Sequence, residues 1–217
     1  MTGSASAFFL ISLEWATDYR ESHRWIIALL PMGGFLIGWT YHKIGQNSLK
    51  GNNLLLDELN AHKSPIPLRM TPLVLFGTIL THFFGGSAGR EGTAVQMGGS
   101  LSDQLTKWLG LNRKNRRLTL IGGVAGGFSS VFGTPLAGAI FALEWMHTGK
   151  FRPQSLFPAF WAALVADWTC ELLWGVGHTE YFIPEIAAHS FTNLLWIIPA
   201  GIAFGLSGRL FAECTHF

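Results

Sequence analysis

The feature that most constrains this chain is that its apolar segments are short and repeatedly broken by glycine and proline. A hydrocarbon layer about 30 Å thick takes roughly 20 apolar residues to cross as a helix. Trp25 to Tyr41 meets that need between Arg24 and Lys43, and Leu156 to Trp174 and Leu194 to Phe211 give two further spans. Other segments do not. Leu73 to Phe84 runs directly into Gly85-Gly86-Ser87-Ala88-Gly89, and another apolar stretch, Thr93 to Leu105, begins straight after Glu91-Gly92. Leu118 to Met146 is too long for one straight crossing and is broken by Gly126-Gly127 and Gly133-Thr134-Pro135, so a span followed by a short returning helix is expected. Within Gly45 to Arg69, Leu54-Leu55-Leu56 is too short to cross and reads as a half-helix or re-entrant segment, with Pro65, Pro67 and Pro72 marking the connection after it. The N-terminal run Phe8 to Leu13 is too short for a signal core and Met1 to Ala7 carries no positive charge; it reads as a helix entered partway along and ending in the polar stretch Asp18 to Arg24.

Irregular backbone survives at membrane depth only where it is buried in protein or lines a wet cavity. Broken helices whose N-termini face a midplane site are how transporters hold anions. The expected fold is therefore an all-α integral membrane protein of several spans with broken and re-entrant half-helices, in the class of channels and transporters. Composition agrees: 13% of residues are charged and 49% are hydrophobic, against roughly 25% charged in soluble domains. The 26 glycines fall mostly inside apolar stretches, where they let helices approach closely in lipid. A soluble, core-rich domain is the alternative. A formal charge of +2 suggests no nucleic-acid partner. Lys107, Arg113, Lys114, Arg116 and Arg117 read as a hydrated loop, assigned to the cytoplasm by the positive-inside tendency. Cys170 and Cys214 are isolated thiols in apolar surroundings; with no paired metal ligands and no nucleophile–base set, neither a metal, a cofactor nor an enzyme is expected.

The chemistry concentrates at Gly89-Arg90-Glu91-Gly92-Thr93. A glycine-rich turn meets a helix start there, so the first backbone N–H groups lack partners within the helix, and the positive end of the helix dipole favours an anion. The Glu91 carboxylate can occupy the same donors, compete with a mobile anion and withdraw when protonated, which would make it a gate and a proton carrier. The alternative is that Glu91 caps the helix and pairs with Arg90. His82, in the preceding apolar segment, is either a proton relay or a packed histidine bonded to a neighbouring carbonyl. Asp167 and Glu171, four apart, share a helix face, and His42, Lys43 and His62 read as solvated. These residues alone leave the transported species open.

Gly89-Arg90-Glu91-Gly92, with Val95-Gln96-Met97-Gly98-Gly99 after it, resembles the gating-glutamate motif of the CLC family of chloride channels and proton-coupled antiporters. A second match runs from Gly122-Gly123-Val124-Ala125-Gly126-Gly127-Phe128 through Gly133-Thr134-Pro135-Leu136-Ala137-Gly138 to Phe141-Ala142-Leu143-Glu144. The resemblance covers essentially the whole chain and implies the first half of the family's inverted repeat. It implies that Glu91 is the gate, that Gly51, Asn52, Arg90, Gly92 and Thr93 lie at the anion, and that Glu144 marks the inner proton path. Three departures matter. Asn52 stands where the family's halide-coordinating serine is expected, and its amide can still donate; the alternative is that Asn52-Asn53 is simply a turn. Thr93 replaces the usual proline after the motif, and Trp145 replaces the second glutamate of many chloride/proton exchangers. All three resemble the fluoride/proton antiporter branch; the loss of the acid would also fit a channel that moves no protons.

The expected activity is transmembrane passage of a small halide, fluoride favoured over chloride, with protons as a possible second substrate, in a bacterial inner (plasma) membrane. The resemblance also implies a homodimer, with Leu136 to Glu144 and Leu156 to Trp174 at the interface. Residues 1–217 are expected to form one transmembrane domain, truncated at both ends. A non-transporting half that serves only as an assembly subunit is the alternative function.

Overall fold

The computed structural model describes residues 1–61, 65–145, 153–178 and 195–215; His62, Met146 and Leu194 lie outside these ranges. Two compact units are present, Met1–His178 and Thr179–Phe217. In the first, α1 (Thr2–Ser22) leads through a tight helical turn (Arg24–Leu29) into α2 (Leu30–Thr40). The helix then widens into a π turn (Tyr41–Gly45) and tightens again (Gln46–Lys50) before α3 (Asn52–Ala61). There follow α4 (Met70–Phe83), α5 (Arg90–Trp108), α6 (Arg113–Phe132), α7 (Pro135–Trp145) and α8 (Leu156–Trp168), the last running on as a π turn (Thr169–Leu173). In the second unit α9 (Ile197–Thr215) is apolar, and all of its described residues are exposed. Every regular element among the described residues is helical.

Among the described residues three stretches are long and apolar enough to cross a membrane: Arg24–Leu59, Leu156–Leu173 and Ile197–Thr215. α3, which closes the first of these stretches, has 10 residues, and α4 and α7, which lie outside them, have 14 and 11; at 1.5 Å per residue each helix reaches only about 15–21 Å. These are the broken and re-entrant pieces expected from the interrupted apolar pattern.

One expectation about glycine is corrected. Gly126-Gly127 does not break the helix; α6 runs unbroken from Arg113 to Phe132. The glycines work in packing instead. A Cβ on Gly123 or Gly127 would strike Ser102 or the Ala94 carbonyl of α5, and a Cβ on Gly122 or Gly126 would press on Ala162 or Ala166 of α8 at 3.1 and 3.0 Å. Two glycine pairs four residues apart thus strip two faces of α6 and let α5 and α8 approach its backbone from either side. On α8 the matching stripe is small and buried (Ala159, Ala163, Ala166, Cys170), while Phe157, Trp161, Val165, Trp168 and Leu172 form an exposed stripe on another face. The break after α6 comes at Gly133, which adopts φ +68° at the helix C-cap, and Pro135 then opens α7. Left-handed backbone of this kind costs glycine nothing.

The basic cluster is corrected too. Lys107 lies in α5, and Arg113, Lys114, Arg116 and Arg117 form the first turn and a half of α6, capped by the Asn112 carboxamide accepting from the Asn115 N–H. Arg116 is mostly buried. Its Nε and Nη2 donate to the Asp103 carboxylate at 2.6 and 2.9 Å, and Nη2 lies 3.7 Å from Glu58. No acid stands near it in sequence; the partners arrive from α3 and α5. Asp103, fully buried, also accepts from the Ile66 N–H at 2.6 Å, while Gln104 and Ser100 donate to the carbonyls of Ile66 and Pro67. The proline-rich connection after α3 is thereby fastened to α5 and α6.

Candidate functional site

The start of α5 is shaped by the turn before it. Gly85 takes φ +84°, and a Cβ there would lie 2.9 Å from the Ile27 side chain, so the chain passes under α2's entry turn only as glycine. Gly89 is extended (ψ 137°) and serves as the N-cap, with no side chain capping the helix. Glu91 sits in the first turn, exposed, and curls back until its Oε2 is 2.7 Å from where a Cβ on Gly89 would be. Among the described residues Arg90 forms no ion pair with it; Arg90 is likewise exposed. The reading of Glu91 as a side-chain cap paired with Arg90 is therefore not what the geometry contains. The first-turn N–H groups of α5 remain available to an anion.

A second helix start meets this one. Gly51 has φ +55°, which turns the chain so that α3 begins at Asn52; Asn52-Asn53 opens a helix rather than forming a simple turn. A Cβ on Gly92 would be 3.8 Å from both Asn52 Nδ2 and Gln96 Nε2, and one on Gly51 would be 3.6 Å from Gln96 Nε2. Gly51, Asn52, Gly92 and Gln96 thus border one small space that side chains on the glycines would fill. Among the described residues the buried Asn52 Oδ1 has no hydrogen-bond partner.

Thr93, next along α5, is turned toward α4. It is 2% exposed, and its hydroxyl lies 2.6 Å from that of Thr78 on α4 and 3.4 Å from the Gly89 carbonyl. His82, one turn along α4, has Nδ1 2.9 Å from the Thr78 carbonyl, which can only accept, so Nδ1 carries the proton. This is the packed arrangement, within the same helix. Glu144 is exposed near the end of α7, and Trp145 beside it stacks on Phe141 at 6.3 Å. Asp167 is 7% exposed, and its Oδ1 is 4.0 Å from His178 Nε2.

Of the expected site residues, the structure brings Gly51, Asn52 and Gly92 together beside the Glu91 turn, leaves Arg90 exposed next to it, turns Thr93 toward Thr78 of α4, and gives His82 and Glu144 no recorded contact with this group. Two neighbours escaped the sequence reading. Gln96 lies in the quoted motif, but nothing in the motif says that its side chain meets α3. Thr78 sits in an apolar run whose partner is another helix.

Residues 33–217 match the model of the voltage gated chloride channel family. The chain belongs to that family, an integral membrane class of channels and transporters rather than enzymes. A chloride/fluoride channel protein from Pseudomonas syringae pv. tomato is 52% identical to it over 216 residues, 100% of this chain and 48% of that protein. Among solved structures, a CLC-type fluoride/proton antiporter superposes with a TM-score of 0.89 at 37% identity, covering 98% of this chain and 54% of that one. A slow cyanobacterial chloride/proton antiporter gives 0.75 at 22% identity over 97% of this chain and 52% of that one, a likeness of fold alone. The chain spans about half the length of these relatives.

Proposed function

We propose that this chain supplies the first half of a pathway carrying small halides across a bacterial inner membrane, fluoride in preference to chloride, with Glu91 as the gate. The observation that carries the reading is the meeting of two helix starts: Asn52 at the head of α3 lies against Gly92 in the first turn of α5, one residue from Glu91. Two helix N-termini and a neutral amide offer N–H donors to one anion without a fixed positive charge to trap it. A glutamate in the same turn competes for those donors when ionised and leaves when protonated, which couples halide passage to protons. Thr93 and Asn52, in place of the family's proline and serine, favour the fluoride branch, as does the likeness to a chloride/fluoride channel protein and to a fluoride/proton antiporter. The working assembly is a homodimer.

The test is halide efflux from liposomes carrying the complete gene product. Fluoride leaving well ahead of chloride is expected; chloride passing as readily would overturn the selectivity, and passage of neither would favour an assembly subunit.

A further inference from the structure

We infer that Gln96, part of the motif the chain shares with the family's chloride channels, is a second amide ligand of the transported anion, and that its pairing with Asn52, which stands in place of the family's serine, sets the preference for a small, strongly hydrogen-bond-accepting halide. The inference rests on the anion-pathway reading above and deepens it. Gln96 Nε2 approaches the open faces of both glycines, 3.6 Å from a Cβ on Gly51 and 3.8 Å from one on Gly92, and Asn52 Nδ2 approaches the second of these points equally closely. Two carboxamides from two helices therefore reach toward the same small space. Each NH2 carries two donors, so the pair can present four N–H bonds, beyond the backbone groups of the helix starts.

The direction of Gln96 is set by its neighbours. Val95 and Met97 on either side are each 1% exposed and lock the rotation of α5 about its axis, while Gln96 is only partly buried. Its side chain is thus aimed by the helix, with no hydrogen bond of its own among the described residues. The chemistry suits fluoride more than chloride. Fluoride holds its water more tightly, so a site must replace that water with strong donors at short range; chloride asks less and loses less when one donor is removed. Because both amides are neutral, they can supply these donors and still release the ion.

The test compares Gln96→Met, Gln96→Glu and Asn52→Ala in the complete gene product, reconstituted in liposomes and followed with fluoride- and chloride-selective electrodes. Gln96→Met keeps the length of the side chain and removes its donors. It should lower fluoride efflux at least tenfold relative to chloride efflux, the factor expected from about 1.5 kcal/mol for one hydrogen bond to a charged ligand. An equal fall in both ions would make Gln96 merely structural and overturn the inference, as would an unchanged ratio. Should Gln96→Met fail to yield a monodisperse protein, Gln96→Glu decides: fluoride efflux should be lost at neutral pH and return as the medium is acidified, and wild-type efflux at neutral pH would overturn it. If Asn52→Ala changes the ion preference while Gln96→Met does not, the Gln96 inference falls and the pathway reading stands. If the wild-type protein moves neither halide, the pathway reading itself falls.

Discussion

Glu91 stands in the first turn of α5, where among the described residues the N-cap makes no side-chain hydrogen bond, and its carboxylate is exposed. As the proposed gate it should carry protons in step with transport. Glu91→Gln, which cannot ionise, is expected to abolish proton movement coupled to halide efflux, read as the pH change in weakly buffered liposomes; unaltered coupling would remove Glu91 from the mechanism. Thr93 makes a different demand. Its buried hydroxyl is met by Thr78 at 2.6 Å. Thr78→Val keeps the shape and deletes that partner, leaving the Thr93 hydroxyl only the longer bond to the Gly89 carbonyl, so it should destabilise the protein by about 0.5–1.5 kcal/mol, the net worth of one hydrogen bond. Denaturation in detergent would measure this, and Thr78→Ser should recover most of it.

Among the elements, α6 carries the most contacts of consequence, because its two glycine pairs serve two different neighbours. Gly98 of α5 faces Gly123 of α6 so closely that a Cβ would run into the facing carbonyl, and Gly127 meets the Ala94 carbonyl in the same way. Backbone atoms cannot step aside as a flexible side chain can. Gly98→Ala and Gly127→Ala are therefore each expected to cost about 1–3 kcal/mol by overpacking, while Ala at Gly34, which faces open space, should be nearly neutral. Thermal unfolding of the three variants in one detergent checks the contrast. The charge cluster at the other end of α5 behaves differently. Arg116 lies 15% exposed against an Asp103 carboxylate that is fully buried, so Arg116→Met would strand that carboxylate and is expected to destabilise by about 3–5 kcal/mol. The larger loss should also loosen the connection after α3, and with it the placement of Asn52.

At the level of the whole molecule, the exposed stripe Phe157, Trp161, Val165, Trp168 and Leu172 on α8 is suited either to lipid or to a second copy of the chain. The proposed homodimer separates these. Val165→Trp should reduce the dimer fraction seen by cross-linking in membranes, since a bulky ring obstructs a packed interface, whereas a lipid-facing position accepts it without effect. Class, element order and the broken-helix character of the chain were legible in the sequence, because apolar length against bilayer thickness and the positions of Gly and Pro are local properties. The Glu91 turn was legible for the same reason: Gly85 to Gly92 and the helix start are contiguous. Gln96, Thr78 and the Asp103–Arg116–Glu58 cluster were not. Each depends on a partner from another helix, at separations of 13 residues for Asp103 to Arg116 and 15 for Thr78 to Thr93. By itself, then, the sequence determined that this is a membrane chain of interrupted helices with a carboxylate at a helix start. Only the tertiary structure decided that α3 and α5 begin against each other, that Gly126-Gly127 packs rather than breaks, and that Arg116 is paired inside the fold. The reason is physical: spacing along a chain records which residues share a helix face, and it carries no record of which two faces meet.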